Sequence, residues 1–451
     1  MLNYIWLGLV LCAVLLGGWD GRLKEVADKS FDMARIAVID IAFPLVGIMV
    51  LWLGIMRLAE RSGLVSLLAR ALQPVMRWLF PDVPADHPAM GSMLMNIAAN
   101  MLGLGNAATP LGLRAMKDLE TINRRPGTAT NAMCTFLAIN TSSVQLIPVT
   151  AIAILAANKS TNPTAIVGTA IIATACACCS GITMAKLLPK LPMFRLPPLD
   201  DSAVARVPSA ENQPTAAGTD KLPVKEAATL RPLRWWGLVV LAAYLLSFAW
   251  FFIRAAFPGA FGSVIPLETA NQNTFIRVVN AVSLLSIPFL LSVFPLYAAL
   301  RRVKVYEEFV DGAKEGFDVA IRIIPYLVAM LFAIGMFRAA GGIEMIAAVL
   351  KPALDVVHFP VDLLPMCLMR PLSGSGSQGM FAELVNHFGA DSLIARTAGT
   401  IYGSTETTFY VLAVYFGSVA IKRTRYALIA GLTADFVSVV ASIAICRIMF
   451  G

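Results

Sequence analysis

The sequence predicts an all-α polytopic membrane protein built from two homologous helical halves. Of the 451 residues, 58% are hydrophobic and 14% are charged, whereas soluble domains carry about 25% charged residues. The mean hydropathy is +0.73. Several apolar windows reach the roughly 20 residues that a helix needs to cross a bilayer, and landmarks of the first half recur in the second.

The apolar windows follow one another along the whole chain. Uninterrupted windows lie at 3–18, 36–57, 128–157, 163–188, 235–253, 275–300, 319–338, 396–418 and 425–450. Two further windows, 89–104 and 361–388, are apolar but interrupted. We therefore expect roughly ten to twelve membrane-embedded segments. The first window has no preceding Lys or Arg and no small-x-small cleavage site after it, so we expect a retained helix and not a removed signal peptide.

A change of composition divides the chain. Residues 189–232 hold eight prolines, many charges and no apolar periodicity. Such a segment cannot bury enough apolar surface to offset the entropy of ordering, so we expect a flexible linker at 189–233. The linker separates a first membrane half, 1–188, from a second, 234–451.

The two halves share spaced landmarks, as a duplicated unit would. Pro44 is followed by Met, Gly and Arg at offsets of 5, 10 and 13, and Pro325 is followed by the same residue types at the same offsets. Further on, "NTSSVQLIPVTAIA" in the first half aligns with "STETTFYVLAVYFG" in the second. Inverted repeats are the commoner arrangement in transporters of this kind, so we expect the halves to be inverted.

Each half also contains a stretch that should break a membrane helix, "NMLGLGNAATPLG" (100–112) in the first and "RPLSGSGSQG" (370–379) in the second. Irregular backbone survives inside a bilayer only where protein or a water-filled cavity surrounds it. We therefore expect two broken helices or re-entrant hairpins. Paired interruptions at matching positions are the best sequence pointer to the central site of a transporter.

The polar residues of these stretches and of the two aligned segments are the candidate solute-binding residues. They supply neutral donors and acceptors, flexible glycine backbone and three ionisable groups. In the first half they are Asn96, Asn100, Gly103, Gly105, Asn106, Thr109, Asn140, Thr141, Ser142, Ser143 and Gln145. In the second half they are Arg370, Ser373, Gly374, Ser375, Gly376, Ser377, Gln378, Glu383, Ser404, Thr405, Glu406, Thr407 and Thr408.

Glu406 is the strongest single candidate, because charges inside a span usually face a cavity or a partner. It would carry a proton or cation, or it would pair with Arg370 or Arg338 and lock the halves together. Arg57 and Arg338 sit at span ends, where we expect them to snorkel to the membrane surface. Asp40 and Asp435 could each cap a helix at a span boundary.

No enzyme motif stands in a credible context. "GSGSQG" matches a dinucleotide fingerprint, but that motif has meaning only between a strand and a helix. The three histidines are far apart, and "CACC" (176–179) is expected to pack against another helix instead of binding metal. We therefore expect no catalytic activity, no cofactor and no metal. The net charge of +8 is expected in loops that orient the helices, not on a nucleic-acid surface.

Longer strings resemble a known family. "HPAMGSMLMNIAANMLGLGNAATPLGLRAMKDLE" and "FLAINTSSVQLIPVT" are similar to spore maturation protein A, and "EGFDVAIRIIPYLVAMLFAIGMFRAAGG" and "GSTETTFYVLAVYFGSVAIKRTRYALIAGLTAD" to spore maturation protein B. The resemblance covers nearly all of both halves and fails in the linker. It implies a fusion of two membrane units of the "nucleoside recognition", or Gate, type in a bacterial inner membrane, and it favours a homo-oligomer.

Three functions remain open on this sequence. A transporter would bind a small polar or anionic solute, for instance a nucleoside-like one, between the halves, with a proton or other ion as the coupling species. A membrane scaffold for envelope, cell-wall or spore maturation would use the same polar residues to hold helices together. A channel would need a continuous polar path.

Overall fold

The computed structural model describes residues 2–103, 105–195, 233–257, 273–346, 348 and 359–451. Across these residues the chain forms seventeen α-helices and no β-strand; the one β contact is a bridge between Thr128 and Arg423. The all-helical prediction is confirmed. Most of the expected linker, 196–232, lies outside the described residues, as does Leu104 in the first interruption.

The first half contains nine of these helices. They are α1 (Leu2–Trp19), α2 (Leu23–Ile36), α3 (Phe43–Arg61), α4 (Leu64–Leu79), α5 (Pro88–Met101), α6 (Gly105–Glu120), α7 (Asn131–Thr141), α8 (Val149–Ala157) and α9 (Ile166–Leu187). The second half contains α10 (Trp235–Ala256), α11 (Thr274–Leu300), α12 (Val305–Ala339), α13 (Leu364–Met369), α14 (Gly374–Phe388), α15 (Leu393–Ser404), α16 (Thr408–Gly417) and α17 (Ala427–Phe450).

Five helical stretches among the described residues are long and apolar enough to cross a membrane: Leu23–Arg61, Pro163–Lys190, Trp235–Ala256, Thr274–Leu300 and Ala427–Phe450. The first of these joins α2 and α3 through a π-helical segment, Ala37–Ala42. Pro44 follows immediately, and because proline has no N–H it cannot bond the carbonyl four residues back, a site where helices adopt π turns.

Two windows that look uninterrupted in the sequence are broken in the structure. The window 128–157 is divided into α7 and α8 by residues 142–148, and 396–418 into α15 and α16 by residues 405–407. The overall apolar content of the two windows does not reveal these breaks. The polar strings "NTSS" and "STET" within the windows coincide with them. Each half therefore holds one interrupted hairpin and one broken helix.

Equivalent helices of the two halves cross in opposite directions. On α2–α3 and α12, a Cβ added to Gly54 would lie 2.6 Å from Cε2 of Phe309, and one added to Gly335 would overlap Met33. As residue numbers increase along α2–α3, the residues that they contact on α12 decrease in number. The two helices therefore run antiparallel. The last helices, α9 and α17, behave alike: Gly181 packs on Ala434, whereas Thr169 and Cys446 both contact Thr400. Antiparallel crossing of equivalent helices is the arrangement that inverted repeats require.

Candidate functional site

The first interruption is a helical hairpin. Asn96 on α5 donates from Nδ2 to the carbonyl of Ala108 on α6 at 2.7 Å, and Ser92 bonds Asp118 farther along, so the two helices run antiparallel. The turn between them includes Gly103, whose φ of +77° lies in the left-handed region that glycine tolerates. The second interruption turns likewise between α13 and α14, and the Ser373 hydroxyl caps α14 by accepting from the amide of Gly376 at 3.0 Å.

Each hairpin turn is attached to the broken helix that follows it in the same half. The amide of Leu146 donates to the carbonyl of Met101 at 3.1 Å, and the amide of Phe409 donates to the carbonyl of Pro371 at 2.9 Å. The two bonds occupy corresponding places in the repeat, although Phe409 lies one position before the residue that aligns with Leu146. They satisfy backbone groups that the interruptions release inside the membrane, as a low-dielectric surrounding demands.

An amide cluster lies where the first hairpin meets the first broken helix, formed by Asn96, Asn100, Asn140 and Tyr415. Asn100 Nδ2 donates to Asn140 Oδ1 at 3.0 Å, and the Tyr415 hydroxyl lies 3.4 Å from the same oxygen. Tyr415 also lies 3.4 Å from Asn96 Nδ2. Tyr415 comes from the second half, so the cluster joins the halves. Asn96 Oδ1 is buried and has no hydrogen-bond partner among the described residues.

An arginine cluster occupies the matching place in the second half, formed by Arg370, Ser377, Tyr402 and Thr405. Arg370 is 4% exposed. Its Nε donates to Thr405 Oγ1 at 3.1 Å, its Nη2 donates to the carbonyls of Tyr402 and Thr405, and its Nη1 lies 3.4 Å from Ser377 Oγ. The guanidinium lies 4.4 Å from the centre of the Tyr402 ring. Its positive charge therefore sits at the carbonyl end of α15, where the helix dipole is negative.

The two clusters meet at one backbone bond across the halves. The amide of Glu406 donates to the carbonyl of Thr141 at 2.9 Å. The half-buried Glu406 carboxylate accepts from the amide of Thr407 at 3.3 Å and forms no ion pair with the described residues. It therefore pairs with neither Arg370 nor Arg338, although its backbone links the halves.

Thr174 on α9 supports the first break. Its hydroxyl lies 2.8 Å from the carbonyl oxygens of both Ser142 and Ser143. Ser143 itself has a φ of +44°, unusual for a residue with a side chain. Such strained backbone persists only where its surroundings fix it, and the two carbonyl contacts supply part of that constraint.

Two arginines for which the sequence predicts snorkelling form ion pairs in the structure. Arg338 does not snorkel; its side chain is 11% exposed and forms an ion pair with the buried Glu383 at 2.7 Å. Arg57 forms ion pairs with Glu308 and Glu315 of the second half, both at 3.4 Å. In each case a carboxylate of the protein lies within reach and pairs with the guanidinium charge. Glu383, a candidate solute-binding residue, is thus already paired.

Asp435 also differs, because it lies inside α17 and caps neither end of its own helix. It is 5% exposed, and its Oδ2 accepts from the Thr408 hydroxyl at 2.6 Å. Thr408 is the first residue of α16, so Asp435 faces the positive end of that helix. Asp435 and Tyr415 are the site residues that the candidate set lacks. A single acid within the apolar window 425–450 was the available signal for Asp435.

The remaining candidates fall at three kinds of position. Gly103 and Ser373 form turns, and Thr141, Ser142, Ser143, Gln145, Ser404, Thr405 and Thr407 lie at or beside the breaks. Ser404 bonds Ser438 at 2.7 Å on α17, away from the clusters. Gly105, Asn106 and Thr109 lie on α6, and Gly374, Ser375, Gly376 and Gln378 lie on α14. The side chain of Asn106 lies outside the described residues.

Four buried polar atoms of this region have no hydrogen-bond partner among the described residues. Besides Asn96 Oδ1 they include Gln378 Nε2, Thr407 Oγ1 and Asp435 Oδ1. Such atoms are costly when buried, and native proteins have few of them. A separate cleft of about 260 Å³ lies at the end of α9, lined by residues such as Asp82, Asn131, Lys186 and Lys190. No group of three or more metal-ligand side chains occurs within the described residues.

Comparisons with known proteins agree with the two-part organisation. The nucleoside recognition (Gate) family matches residues 42–158 and 320–422. The chain is 46% identical over 175 residues to spore maturation protein B of Bacillus subtilis (strain 168), covering 39% of this chain and 98% of that protein. It is 46% identical over 174 residues to spore maturation protein A of the same organism, covering 39% of this chain and 88% of that protein. The two matches occupy separate halves. No solved structure matches significantly.

Proposed function

We propose that this chain, which belongs to the family of spore maturation proteins A and B and joins both in one polypeptide, is a transporter of a small polar solute. The solute would bind between the halves, at the amide cluster and the neighbouring arginine cluster. Movement of one inverted half against the other would expose it to each side in turn. We place the protein in a bacterial inner membrane, because both relatives are bacterial and its spans are apolar helices.

The unpartnered buried atoms are the observation that carries this proposal. Asn96 Oδ1 is an acceptor, Gln378 Nε2 is a donor, and Thr407 Oγ1 is both. A ligand with complementary groups would satisfy them and recover the cost of burying them. Arg370 is already occupied by the end of α15, so a neutral solute fits better than an anion. A nucleoside has the required mixture of donors and acceptors, and the family description "nucleoside recognition" favours the same class.

Binding to the purified full-length protein in lipid nanodiscs tests the proposal. Radiolabelled uridine and adenosine serve as probes, and uptake into proteoliposomes follows for any probe that binds. We expect Asn96→Leu and Gln378→Leu to weaken binding about tenfold each, the loss of roughly one hydrogen bond. Asn158→Ala is the matched control, since Asn158 bonds only the nearby carbonyl of Ile154 among the bonds described. If neither nucleosides nor a wider panel of polar metabolites binds, the transporter proposal is wrong.

A scaffold is the second candidate, favoured by the density of bonds already made within the protein. Arg370, Asn100 and Asn140 all have protein partners. Thermal unfolding separates the two functions: a solute that binds only the folded protein must raise the melting temperature. In a scaffold, the cluster variants would lower the melting temperature equally with and without the probes.

A further inference from the structure

Asp435 is a buried acid that forms no ion pair with the described residues, and it lies beside the break 405–407 of the second half. It is 5% exposed, and one carboxylate oxygen is bonded to Thr408 at 2.6 Å. That distance is typical of a hydroxyl donating to a charged carboxylate. The other oxygen, Oδ1, is buried and has no partner among the described residues. The other acid that is similarly buried, Glu383, is paired with Arg338.

The surroundings of Asp435 come from four packed helices. These are α7, α9, α15 and α16. The charged groups whose field reaches Asp435 are Arg370 and Glu406. The other cations on these helices are engaged elsewhere: Lys186 bonds the carbonyl of Leu79, and Arg396 pairs with Asp391. The Asp435 carboxylate therefore lies near the partial positive charge at the amino-terminal end of α16. Across the break 405–407, the Arg370 guanidinium bonds the carbonyls at the carboxyl-terminal end of α15.

We propose that Asp435 is the proton-binding residue that couples the transporter proposed above to the proton gradient; this inference rests on that function. The ionised carboxylate attracts the positive end of α16 and accepts from Thr408. When Oδ1 takes up a proton from the aqueous phase, that attraction is lost and the Thr408 bond weakens to a neutral one. The break then loosens beside Glu406, whose amide binds Thr141 of the other half. Release of the same proton restores the starting state.

A proton fits this site better than a metal ion does. Metal cations such as Ca²⁺ and Mg²⁺ take about six or more oxygen ligands. Among the described contacts of Asp435, the oxygen ligands available to a cation are its own carboxylate and the Thr408 hydroxyl. A lone acid inside a membrane helix is characteristic of proton relays in pumps and transporters.

Infrared difference spectroscopy between pH values tests the assignment without any solute. Beyond the bands of its exposed acids, the full-length protein in lipid vesicles should show a protonated-carboxyl band of a buried acid that appears as pH falls. The band should be lost in Asp435→Asn and retained in Glu406→Gln, the matched control at the same break. A band that survives in Asp435→Asn, or that disappears equally in Glu406→Gln, overturns the assignment. Suppression of the band by sodium relative to choline would identify a sodium site and also overturn it.

A second variant covers the case in which Asp435→Asn fails to fold. Thr408→Val keeps the carboxyl group but removes the hydroxyl bonded to it. The band should remain, with its titration midpoint displaced by about one pH unit; an unmoved midpoint contradicts the proposal. The outcomes also separate this inference from the proposed function. If Asp435 titrates but the protein binds no solute, the proton-site assignment holds and the transporter proposal is wrong. If solute uptake in Asp435→Asn depends on pH as strongly as in the wild type, the transporter proposal holds and the coupling role of Asp435 is wrong.

Discussion

Arg370 and Asp435 show how single charges stabilise irregular backbone inside the membrane. The break at 405–407 leaves a carbonyl end on α15 and an amide end on α16, each with a partial charge. Arg370 contacts the first end through the carbonyls of Tyr402 and Thr405, and Asp435 contacts the second through Thr408. Each buried charge is thus matched to a helix end instead of to a carboxylate or an ammonium group.

Replacement of Arg370 by lysine should destabilise the protein although the charge is kept. A lysine ammonium cannot reproduce the planar set of donors or the stacking on Tyr402. We expect Arg370→Lys to lower the free energy of unfolding by about 3–6 kcal/mol, the value of two charge-assisted hydrogen bonds. Thermal unfolding in detergent measures the change, with Arg77→Lys on the exposed face of α4 as control. Equal melting temperatures for Arg370→Lys and the control would contradict this account of Arg370.

Asp391 links the halves outside the membrane spans. Its carboxylate accepts from the Ser160 hydroxyl at 2.7 Å and from the Thr161 amide at 2.8 Å, and it pairs with Arg396. Burial by itself would raise the pKa of Asp391, but the hydrogen bonds from Ser160, Thr161 and Arg396 together hold that pKa below its ordinary value. A lowered folded-state pKa means that the stabilisation is complete above the unfolded pKa of about 3.9 and is lost as pH falls through the folded pKa.

We therefore expect Asp391→Asn to reduce the melting temperature by about 2 °C near neutral pH, a small effect because the group is partly exposed. The difference between variant and wild type should stay constant from pH 7 to about pH 5 and shrink below about pH 4. Melting curves across this range provide the measurement, and the exposed Asp86→Asn is the control. A difference that grows as the pH falls would show that the sign is wrong.

At the scale of elements, two glycines set how closely α12 approaches α3. A Cβ added to Gly312 would lie 2.5 Å from the carbonyl oxygen of Leu53, and one added to Gly316 would lie 2.8 Å from that of Met49. Both neighbours are backbone atoms, which cannot rotate away. The spacing Gly-x-x-x-Gly in "GAKEG" is typical of close helix contact in membranes, so the sequence carried a signal for this interface.

Substitution at these glycines should push the two helices apart. We expect Gly312→Ala and Gly316→Ala each to cost about 1–3 kcal/mol through overpacking. Gly47→Ala on α3 is the matched control, because nothing lies within 4 Å of its added Cβ; it should gain up to about 1 kcal/mol from helix propensity. Thermal unfolding of the three variants measures both effects. A similar response at all three positions would mean that contact distance does not limit this crossing.

The sequence predicted the interruptions better than it predicted the partners. The interruption at "GLGNAATP" follows from its glycine and proline residues, and the repeat follows from the equal offsets after Pro44 and Pro325. Both signals are local, so a single sequence is enough to detect them. The pairing of Arg338 with Glu383, the position of Tyr415 beside Asn140 and the depth of Asp435 depend on which helices pack together. That packing is a tertiary property, so neither snorkelling of Arg338 nor capping by Asp435 could be distinguished from these arrangements beforehand.

At the scale of the whole molecule, the two halves hold each other by many contacts that do not involve the linker. The helix pairs α3–α12 and α9–α17 cross antiparallel, the amide of Glu406 bonds Thr141, and Arg57 and Arg61 form ion pairs with Glu308. The relatives are consistent with halves that associate without the linker, since spore maturation protein B aligns over 98% of its length with only part of this chain.

Cutting the chain between its halves should therefore leave the assembly intact. A specific protease site inserted within 196–232 allows cleavage after the protein has reached the membrane, when both halves are already packed. We expect the fragments to co-elute in gel filtration in mild detergent. The surface that the crossing helices bury against each other should hold the halves together without the covalent link. The same cleavage in a Gly312→Leu, Gly316→Leu variant should release the fragments, since bulky side chains would separate α12 from α3. Separation of the wild-type fragments would instead assign the association to the linker, and the inverted halves would then be two loosely tethered units unable to enclose a solute between them.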